Sequence, residues 1–246
     1  MGPVTLYCGG GNDATLAAMS ILKASGIRIA DHPGSHVTDV LLDIPSFDSM
    51  GLLPGKLEPD TLYKVLSPGT RIWGGRLDAL PETLIPMDLL QDPGYLAENA
   101  AITADCAIKL AGSKLKAVWK DCRVLVIGWG RIGKHLCRML KALGAQITVS
   151  ARKDSDRALA SAFGYLIRMP DDLQGDDYQV IFNTAPAPMM EQADLGDCPL
   201  PIDLASTQGL RGIHVIWARA LPRIYAPLSS GQLIAATILK KWKEDK

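Results

Sequence analysis

The chain has 246 residues, of which 48% are hydrophobic and 21% charged, and its 26 lysines and arginines balance its 26 aspartates and glutamates. This neutral, globular composition argues against nucleic-acid or membrane binding, and no apolar run is long enough to cross a bilayer. Five scattered cysteines without C-x-x-C spacing and the lack of a signal peptide predict reduced thiols, no metal site and a cytoplasmic location.

The first predicted unit is a strand at residues 4–7, a glycine-rich turn at residues 9–14 and a helix that Asn12 or Asp13 caps. The turn matches G-x-G-x-x-A, and Asp31 follows about twenty positions later, a pattern that favours NAD. Because the strand is short and the following spacing departs from that of nucleotide-binding units, we interpret this turn as structural. Nucleotide binding there remains the alternative.

The rest of the first half alternates strands and helices, with strands at residues 40–44 and 70–73 and a short helix at residues 59–66. Prolines break regular structure between residues 83 and 93, so residues 92–94 are the predicted domain linker. We therefore predict an N-terminal flavodoxin- or Rossmann-like substrate domain at residues 1–94, completed by a C-terminal helix at residues 230–243.

A long helix at residues 96–110 is predicted to join the two halves. Its polar residues Asn99, Thr103 and Asp105 are candidates for a position near the cleft. The alternative is that they are ordinary exposed helix residues.

The second half, residues 95–229, contains the motif on which the functional prediction depends. Residues 124–127 are a β-branched apolar run, followed by a G-x-G-x-x-G, a helix at residues 132–143 and a second strand at residues 147–149. In this arrangement Gly128 allows the tight turn, Gly130 lets the main chain approach a pyrophosphate, and Gly133 lets the helix pack closely on the strand. The free N–H groups of the helix then face the phosphates.

The residues after the second strand indicate which dinucleotide is bound. Enzymes that select NAD usually place Asp or Glu there, but this chain has Ser150, Ala151, Arg152 and Lys153. A hydroxyl and two cations suit a 2′-phosphate, which a guanidinium can bind with two parallel hydrogen bonds. We therefore predict NADP as the cofactor. The alternative is that Arg152 is a solvated surface side chain.

Further strands are predicted at residues 180–182, 202–205 and 213–217, and a terminal amphipathic helix at residues 230–242. Asn183, Thr184 and Ala185 follow the first of these strands, and Asp203 and Ser206 lie at the end of the second. In a doubly wound sheet both strand ends lie near the cofactor. The predicted fold class is thus α/β, with two Rossmann-like doubly wound parallel-sheet domains, of which the C-terminal one is the NAD(P)-binding domain.

The chain resembles the A-type component of bacterial dipicolinate synthase in several segments. These are GWGRIG at 128–133 with VSAR at 149–152, NTAP at 183–186, PIDLAS at 201–206 and ALPRIYAPLSSGQLI at 220–234. The likeness extends loosely to GGGNDATL at 9–16 and to the interdomain helix motif at 99–105.

The resemblance implies that a dihydrodipicolinate from a branch of the lysine pathway is oxidised to pyridine-2,6-dicarboxylate, with NADP as hydride acceptor, during sporulation. It also implies that the partner is a flavoprotein-like B subunit, and a homodimer is the expected assembly. Asn99, Thr103 and Asp105 would line the substrate cleft. The predicted cofactor contacts combine the positions that match the family with residues adjacent to them in the same motifs. They are Gly128, Trp129, Gly130, Arg131, Ile132, Gly133, Ser150, Ala151, Arg152, Lys153, Asn183, Thr184, Ala185, Asp203 and Ser206.

The chain departs from the family pattern where glycines and a lysine are common, since it has Ala220, Arg223 and Leu228 there. A dicarboxylate substrate needs cations, so Arg223 or Arg219 is expected to compensate, and Arg223 is included among the catalytic candidates.

Two other functions stay open from the sequence. A D-2-hydroxyacid dehydrogenase would share this plan, but it needs an arginine and a His–acid pair that the sequence does not offer. A non-catalytic NADP-binding subunit or redox sensor would leave the activity to a partner.

Overall fold

The structure is a computed structural model that describes residues 4–56 and 58–244. Its strands are β1 (Thr5–Cys8), β2 (Arg28–Ala30), β3 (Asp39–Leu41), β4 (Arg71–Gly74), β5 (Ile85–Asp88), β6 (Arg123–Ile127), β7 (Gln146–Ser150), β8 (Leu166–Arg168), β9 (Val180–Asn183), β10 (Pro201–Asp203) and β11 (Ile216–Trp217). Its helices are α1 (Asp13–Ala24), α2 (Pro59–Tyr63), α3 (Pro93–Gly112), α4 (Arg131–Ala142), α5 (Asp154–Ala162), α6 (Gln192–Leu195), α7 (Leu221–Tyr225) and α8 (Pro227–Glu244).

The chain divides into two compact units. The first consists of Met1–Asn99 and Pro222–Lys246, and the second of Ala100–Leu221. Each unit is built around its own parallel sheet, and the predicted α/β class with two doubly wound parallel-sheet domains is confirmed. Within the described residues, no helix combines the length and the apolar character needed to span a bilayer.

The sheet of the first unit has the strand order β2-β1-β3-β4-β5, and all of its strand pairs are parallel. This is the flavodoxin-like order, in which the chain reverses its winding direction between β1 and β3. β1 therefore lies inside the sheet, and its Leu6 side chain is fully buried. The carboxyl ends of β1, β3 and β4 lie side by side, which is where such sheets place ligands.

Helix α8 belongs to the first unit although it ends the chain. It packs closely on α1, since a Cβ atom added to Gly231 would lie 2.6 Å from the Cβ of Ala17. Near its end, the Trp242 indole N–H donates to the buried Asp39 carboxylate at 3.1 Å. The Arg71 guanidinium donates to both oxygens of Asp39, at 2.8 and 2.9 Å. This buried network ties the last helix to the sheet.

The prediction that prolines break regular structure between residues 83 and 93 is wrong. Pro86 lies within β5, which pairs with β4 at the edge of the sheet. An edge strand tolerates proline because its outer side forms no ladder hydrogen bonds. The triplet predicted as a linker instead starts α3: Pro93 is its first residue, and the Asp92 carboxylate accepts a hydrogen bond from Tyr95 N at 2.7 Å.

The sheet of the second unit has the order β11-β10-β9-β6-β7-β8, again with parallel pairs throughout. This order is typical of dinucleotide-binding domains, with the reversal between β6 and β9. The apolar residues of β6 and β9 are buried, as their continuous apolar sequences predict. The glycine motif follows β6 and therefore lies at the topological switch point.

Candidate functional site

The three glycines of the motif after β6 have different structural roles. Gly128 has φ +98°, a conformation that favours glycine, and its N–H donates to the Ser150 carbonyl at 2.8 Å. A Cβ atom on Gly133 would collide with the Gly128 carbonyl oxygen, so this glycine allows α4 to pack on the turn. A Cβ atom on Gly130 would meet no described atom within 4 Å. The protein itself thus gives no steric reason for glycine at position 130, whereas a bound phosphate would.

Gly130 is also the N-cap residue of α4 and offers no side chain to cap it. The first N–H groups of a helix have no intrahelical acceptors, and the helix dipole makes this end positive. Arg131 is exposed and Ile132 half-buried in the same turn. The turn can therefore bind a pyrophosphate through main-chain donors, with an additional cation at its edge.

The Trp129 side chain belongs to the packed interior of the second unit. Its ring is buried and packs against Phe163 and Tyr165, with centroid distances of 6.4 and 5.6 Å. Any contact between Trp129 and a cofactor would thus use its main chain.

The loop after β7 places the predicted 2′-phosphate residues in two different environments. Ser150 is fully buried and Ala151 nearly so, while Arg152 and Lys153 are exposed. The Ser150 hydroxyl lies buried at the strand end and forms no hydrogen bond within the described residues, and its contact with a 2′-phosphate stays a prediction. The cations are the accessible groups.

Arg157 supports this loop, a role that the sequence analysis missed. Its guanidinium donates to the carbonyls of Ala151 at 2.6 Å and Arg152 at 2.7 Å, and it pairs with Asp154. One turn into α5, an arginine can reach back over the strand end that precedes the helix. Arg157 thus fixes the main chain that carries Arg152.

At the ends of β9 and β10, Asn183 and Asp203 form a buried hydrogen-bond network that holds the neighbouring loops. The Asn183 amide donates to Asp203 at 3.1 Å, and the Asp203 carboxylate also accepts from the N–H groups of Ala205, Gly209 and Leu210 at 2.7–2.9 Å. Both side chains are fully buried, so they shape the loops and leave ligand contacts to main-chain atoms.

Thr184 connects the end of β9 to the glycine turn after β6, because its hydroxyl donates to the Ile127 carbonyl at 2.9 Å. Thr184 and Ala185 are half-buried beside Gly128, and Ser206 is exposed at the next strand end. The Arg219 guanidinium donates to the carbonyl of Ser206 and, at 3.3 Å, to that of Ala205. The structure thus brings the predicted residues of strands β6, β7, β9 and β10 to one edge of one sheet.

The first glycine turn, after β1, contains an internal anion. One oxygen of the Asp43 carboxylate accepts hydrogen bonds from Gly11 N at 3.0 Å, Asn12 N at 3.2 Å and the Thr15 hydroxyl at 2.7 Å. A Cβ atom on Gly10 would lie 2.5 Å from the same oxygen. A side chain of the protein therefore takes the position that a phosphate would occupy, which supports a structural role for this turn.

Comparison with known proteins gives one curated relative and many similar structures. No family model matches the chain. The A-type component of dipicolinate synthase from Bacillus subtilis strain 168 is 30% identical over 155 residues, which is 58% of this chain and 52% of the relative. The match thus spans about half of the curated relative's length. The crystal structure of the same component from B. subtilis is 21% identical, covers 99% of this chain and 97% of its own, and superposes with a TM-score of 0.82.

The chain is thus similar to the A-type component of dipicolinate synthase over part of its length, and it shares the fold of that protein. The Bacillus halodurans member has the same fold, with a TM-score of 0.81 at 20% identity over 96% of this chain and 97% of its own. A transhydrogenase from Sinorhizobium meliloti has a TM-score of 0.71 at 12% identity over 98% of this chain and 84% of its own. These likenesses show that the chain has the two-domain α/β fold that these proteins share.

The residues carried over from this dipicolinate synthase family lie on two different elements. Asn99 and Thr103 are half-buried on α3, and each makes an interaction within the protein. Asp105 is exposed and pairs with Lys109 at 2.8 Å. Thr103 and Asp105 are two residues apart, so they point to different faces of the helix and do not form one cluster. Arg223 is exposed on α7, in the first unit.

Two of the residues that depart from the family pattern, Ala220 and Leu228, have unusual environments in the structure. Ala220 has φ +56°, the left-handed conformation that glycine adopts without strain. Leu228, at the position where the family commonly has lysine, is 72% exposed at the start of α8.

Burial favours the uncharged forms of the thiols and of His135. All five cysteines are free, and burial raises the pKa of Cys137 to about 12 and that of Cys106 to about 11. Burial and the neighbouring Arg138 lower the pKa of His135 on α4.

Proposed function

We propose that the protein is an NADP-dependent oxidoreductase that oxidises dihydrodipicolinate to dipicolinate by hydride transfer. The observation that carries the cofactor assignment is the loop after β7, where Arg152 and Lys153 are the exposed side chains and residues 150–153 include no carboxylate. The name of the curated relative, a component of dipicolinate synthase, supports the substrate assignment.

Several features of the second unit support the proposed binding of NADP. The open space in front of Gly130 and the α4 N-terminus would hold the pyrophosphate, and Arg152 and Lys153 would hold the 2′-phosphate. Thr184, Ala185 and Ser206 would position the nicotinamide end. Arg157 and the Asn183–Asp203 pair would keep these loops in place, so that little ordering is needed upon binding.

The proposed reaction removes a hydride and a proton from the dihydropyridine ring. When bound, NADP⁺ accepts the hydride and becomes NADPH, while the proton passes to solvent or to a base. Aromatisation supplies driving force, so the protein mainly has to hold the ring in the reactive orientation. Asn99, Thr103, Asp105 and Arg223 remain the residues proposed to contact the substrate.

The direct test is a pair of calorimetric titrations with NADPH and NADH. Intrinsic tryptophan fluorescence is a weaker readout, since the Trp129 ring is buried against Phe163 and Tyr165. Arg152→Ala should weaken NADPH binding at least about tenfold, by removing a charge-assisted contact, and should change NADH binding little. Arg123→Ala is the matched control, because Arg123 is an exposed arginine at the amino end of β6.

Equal affinities for the two cofactors in the wild type would overturn the NADP assignment. If NADPH binds, the next measurement is reduction of NADP⁺ with dihydrodipicolinate, with and without a flavoprotein-like B subunit. Turnover by the isolated protein would confirm an enzyme. Turnover only with the partner would support the alternative of a non-catalytic NADP-binding subunit.

A D-2-hydroxyacid dehydrogenase fits the site less well. Its chemistry needs a histidine that is paired with an acid. On α4, the helix that follows the motif, His135 instead lies near Arg138, and burial together with that cation lowers its pKa.

A further inference from the structure

A dicarboxylate substrate, as proposed above, has two carboxylates that need cations, and of the two arginines expected from the sequence, Arg223 and Arg219, the second is not available for this role. Its guanidinium bonds to the Ala205 and Ser206 carbonyls and stacks on Trp217 at 5.3 Å. In flavodoxin-like folds, ligands bind at the carboxyl edge of the sheet. In the first unit, the N–H groups of the turn after β1 already donate to the Asp43 carboxylate, so they cannot bind an anionic ligand. An anionic ligand at this edge would therefore require a cation on a neighbouring strand end.

Arg76 is such a cation. It comes two residues after β4, the strand next to β3, and it is exposed. Within residues 4–56 and 58–244, its guanidinium forms no hydrogen bond or ion pair. The side chain is thus free to bind an anion.

Hydrogen bonds from two other segments, at Ser46 and Asp88, fix the main chain of the turn that carries Arg76. Gly75 N donates to the Ser46 hydroxyl at 3.0 Å, and Ser46 N donates to the Gly75 carbonyl at 2.9 Å. The Asp88 carboxylate accepts hydrogen bonds from Arg76 N at 2.9 Å and Leu77 N at 3.1 Å. Asp88 therefore binds the main chain of the turn and leaves the guanidinium of Arg76 unpaired.

The main chain of Arg76 is in the left-handed region, with φ +63°. Glycine would avoid the strain of this conformation, and two glycines precede it directly. A strained residue in an otherwise well-anchored turn suggests that the side chain itself is needed. A planar guanidinium on a rigid turn suits the bidentate recognition of a carboxylate.

We propose that Arg76 binds a carboxylate of the substrate, as a specificity-determining residue on the first unit. This inference rests on the proposed function, because it assumes a dicarboxylate substrate. The guanidinium would bind one carboxylate of a flat pyridine dicarboxylate from the edge formed by the β3 and β4 loops.

The test is titration of dipicolinate into the full chain saturated with NADPH, for the wild type, Arg76→Met, Arg76→Lys and Arg76→Gly. Arg76→Met should weaken dipicolinate binding about tenfold or more, which corresponds to about 1.4 kcal/mol. Arg76→Lys should recover part of the affinity, because it keeps the charge without the bidentate fork. Arg76→Gly should lose the affinity while its unfolding midpoint stays equal to or above that of the wild type.

Arg28→Met is the matched control. Arg28 is an exposed arginine of the same unit, but it starts β2 at the opposite, amino edge of the sheet. NADPH affinity should be unchanged in all variants. If wild type and Arg76→Met bind dipicolinate equally, the role of Arg76 is overturned while the proposed function stands. If the wild type binds NADPH but no dipicolinate, the proposed substrate fails, and the Arg76 proposal fails with it.

Discussion

The Asp43 carboxylate accepts a hydrogen bond from the main-chain N–H of Gly11 at 3.0 Å. The first glycine turn is thus filled by a side chain of the protein, whereas a Cβ atom on Gly130 in the second turn would meet open space. Two motifs that look alike in the sequence therefore have opposite roles. One closes the fold around an internal anion, and the other leaves room for an external one.

Asp43→Ala should destabilise the first unit. The change removes the acceptor of two N–H groups and leaves the hydroxyl of the fully buried Thr15 with only the longer hydrogen bond to Asn12 Oδ1 at 3.3 Å, which should cost about 2–3 kcal/mol. Urea unfolding, followed by circular dichroism, measures this loss. Asp48→Ala is the control, because Asp48 also accepts two main-chain hydrogen bonds but in an exposed loop. Equal losses for the two variants would contradict a special role for Asp43.

The difference between the two turns could not be predicted from the motifs themselves. Asp43 comes from the end of β3, about thirty residues after Gly11, and only strand pairing brings the two together. The βαβ order and the three glycine roles after β6 could be predicted, because they depend on local spacing. The direction of individual side chains could not be predicted. The sequence pattern puts Ser150 and Asp203 at the correct strand ends, but both side chains are buried.

Arg157→Met should weaken NADPH binding although Arg157 is not among the predicted ligands. The change removes two hydrogen bonds to the Ala151 and Arg152 carbonyls, so that the loop bearing Arg152 must be ordered upon binding. A loss of about 1 kcal/mol, or about fivefold in affinity, is expected. Calorimetry with NADPH and NADH measures it. NADH should be affected less, and Arg157→Lys should restore part of the NADPH affinity. An unchanged NADPH affinity in Arg157→Met would rule out this positioning role.

Ala220→Gly should stabilise the protein. Ala220 has φ +56°, and glycine removes the steric strain of this conformation at some entropic cost in the unfolded chain, for a net gain of up to about 1 kcal/mol. The measurement is the midpoint of thermal unfolding. Ala158→Gly, on the exposed face of α5, should instead destabilise by about 1 kcal/mol. If Ala220→Gly lowered the midpoint as Ala158→Gly does, the left-handed conformation of residue 220 would be wrong.

Gly130→Ala and Gly133→Ala should separate cofactor binding from folding within one motif. At position 130 φ is −79° and the added methyl group meets no described atom, so the free energy of unfolding should fall by at most about 1 kcal/mol, the cost of replacing Gly by Ala at a helix N-cap. A pyrophosphate that approaches this main chain would meet the methyl group, so NADPH binding should fall at least about tenfold, or about 1.4 kcal/mol.

At position 133 the methyl group collides with the Gly128 carbonyl oxygen in the protein itself, which forces α4 away from the turn. Gly133→Ala should therefore lower stability by about 1–3 kcal/mol and lose NADPH binding as a consequence. Urea unfolding and calorimetry on the same preparations distinguish the two variants. If Gly130→Ala kept both its stability and its NADPH affinity, no ligand would approach the main chain at Gly130, and the cofactor site would have to lie elsewhere in the chain.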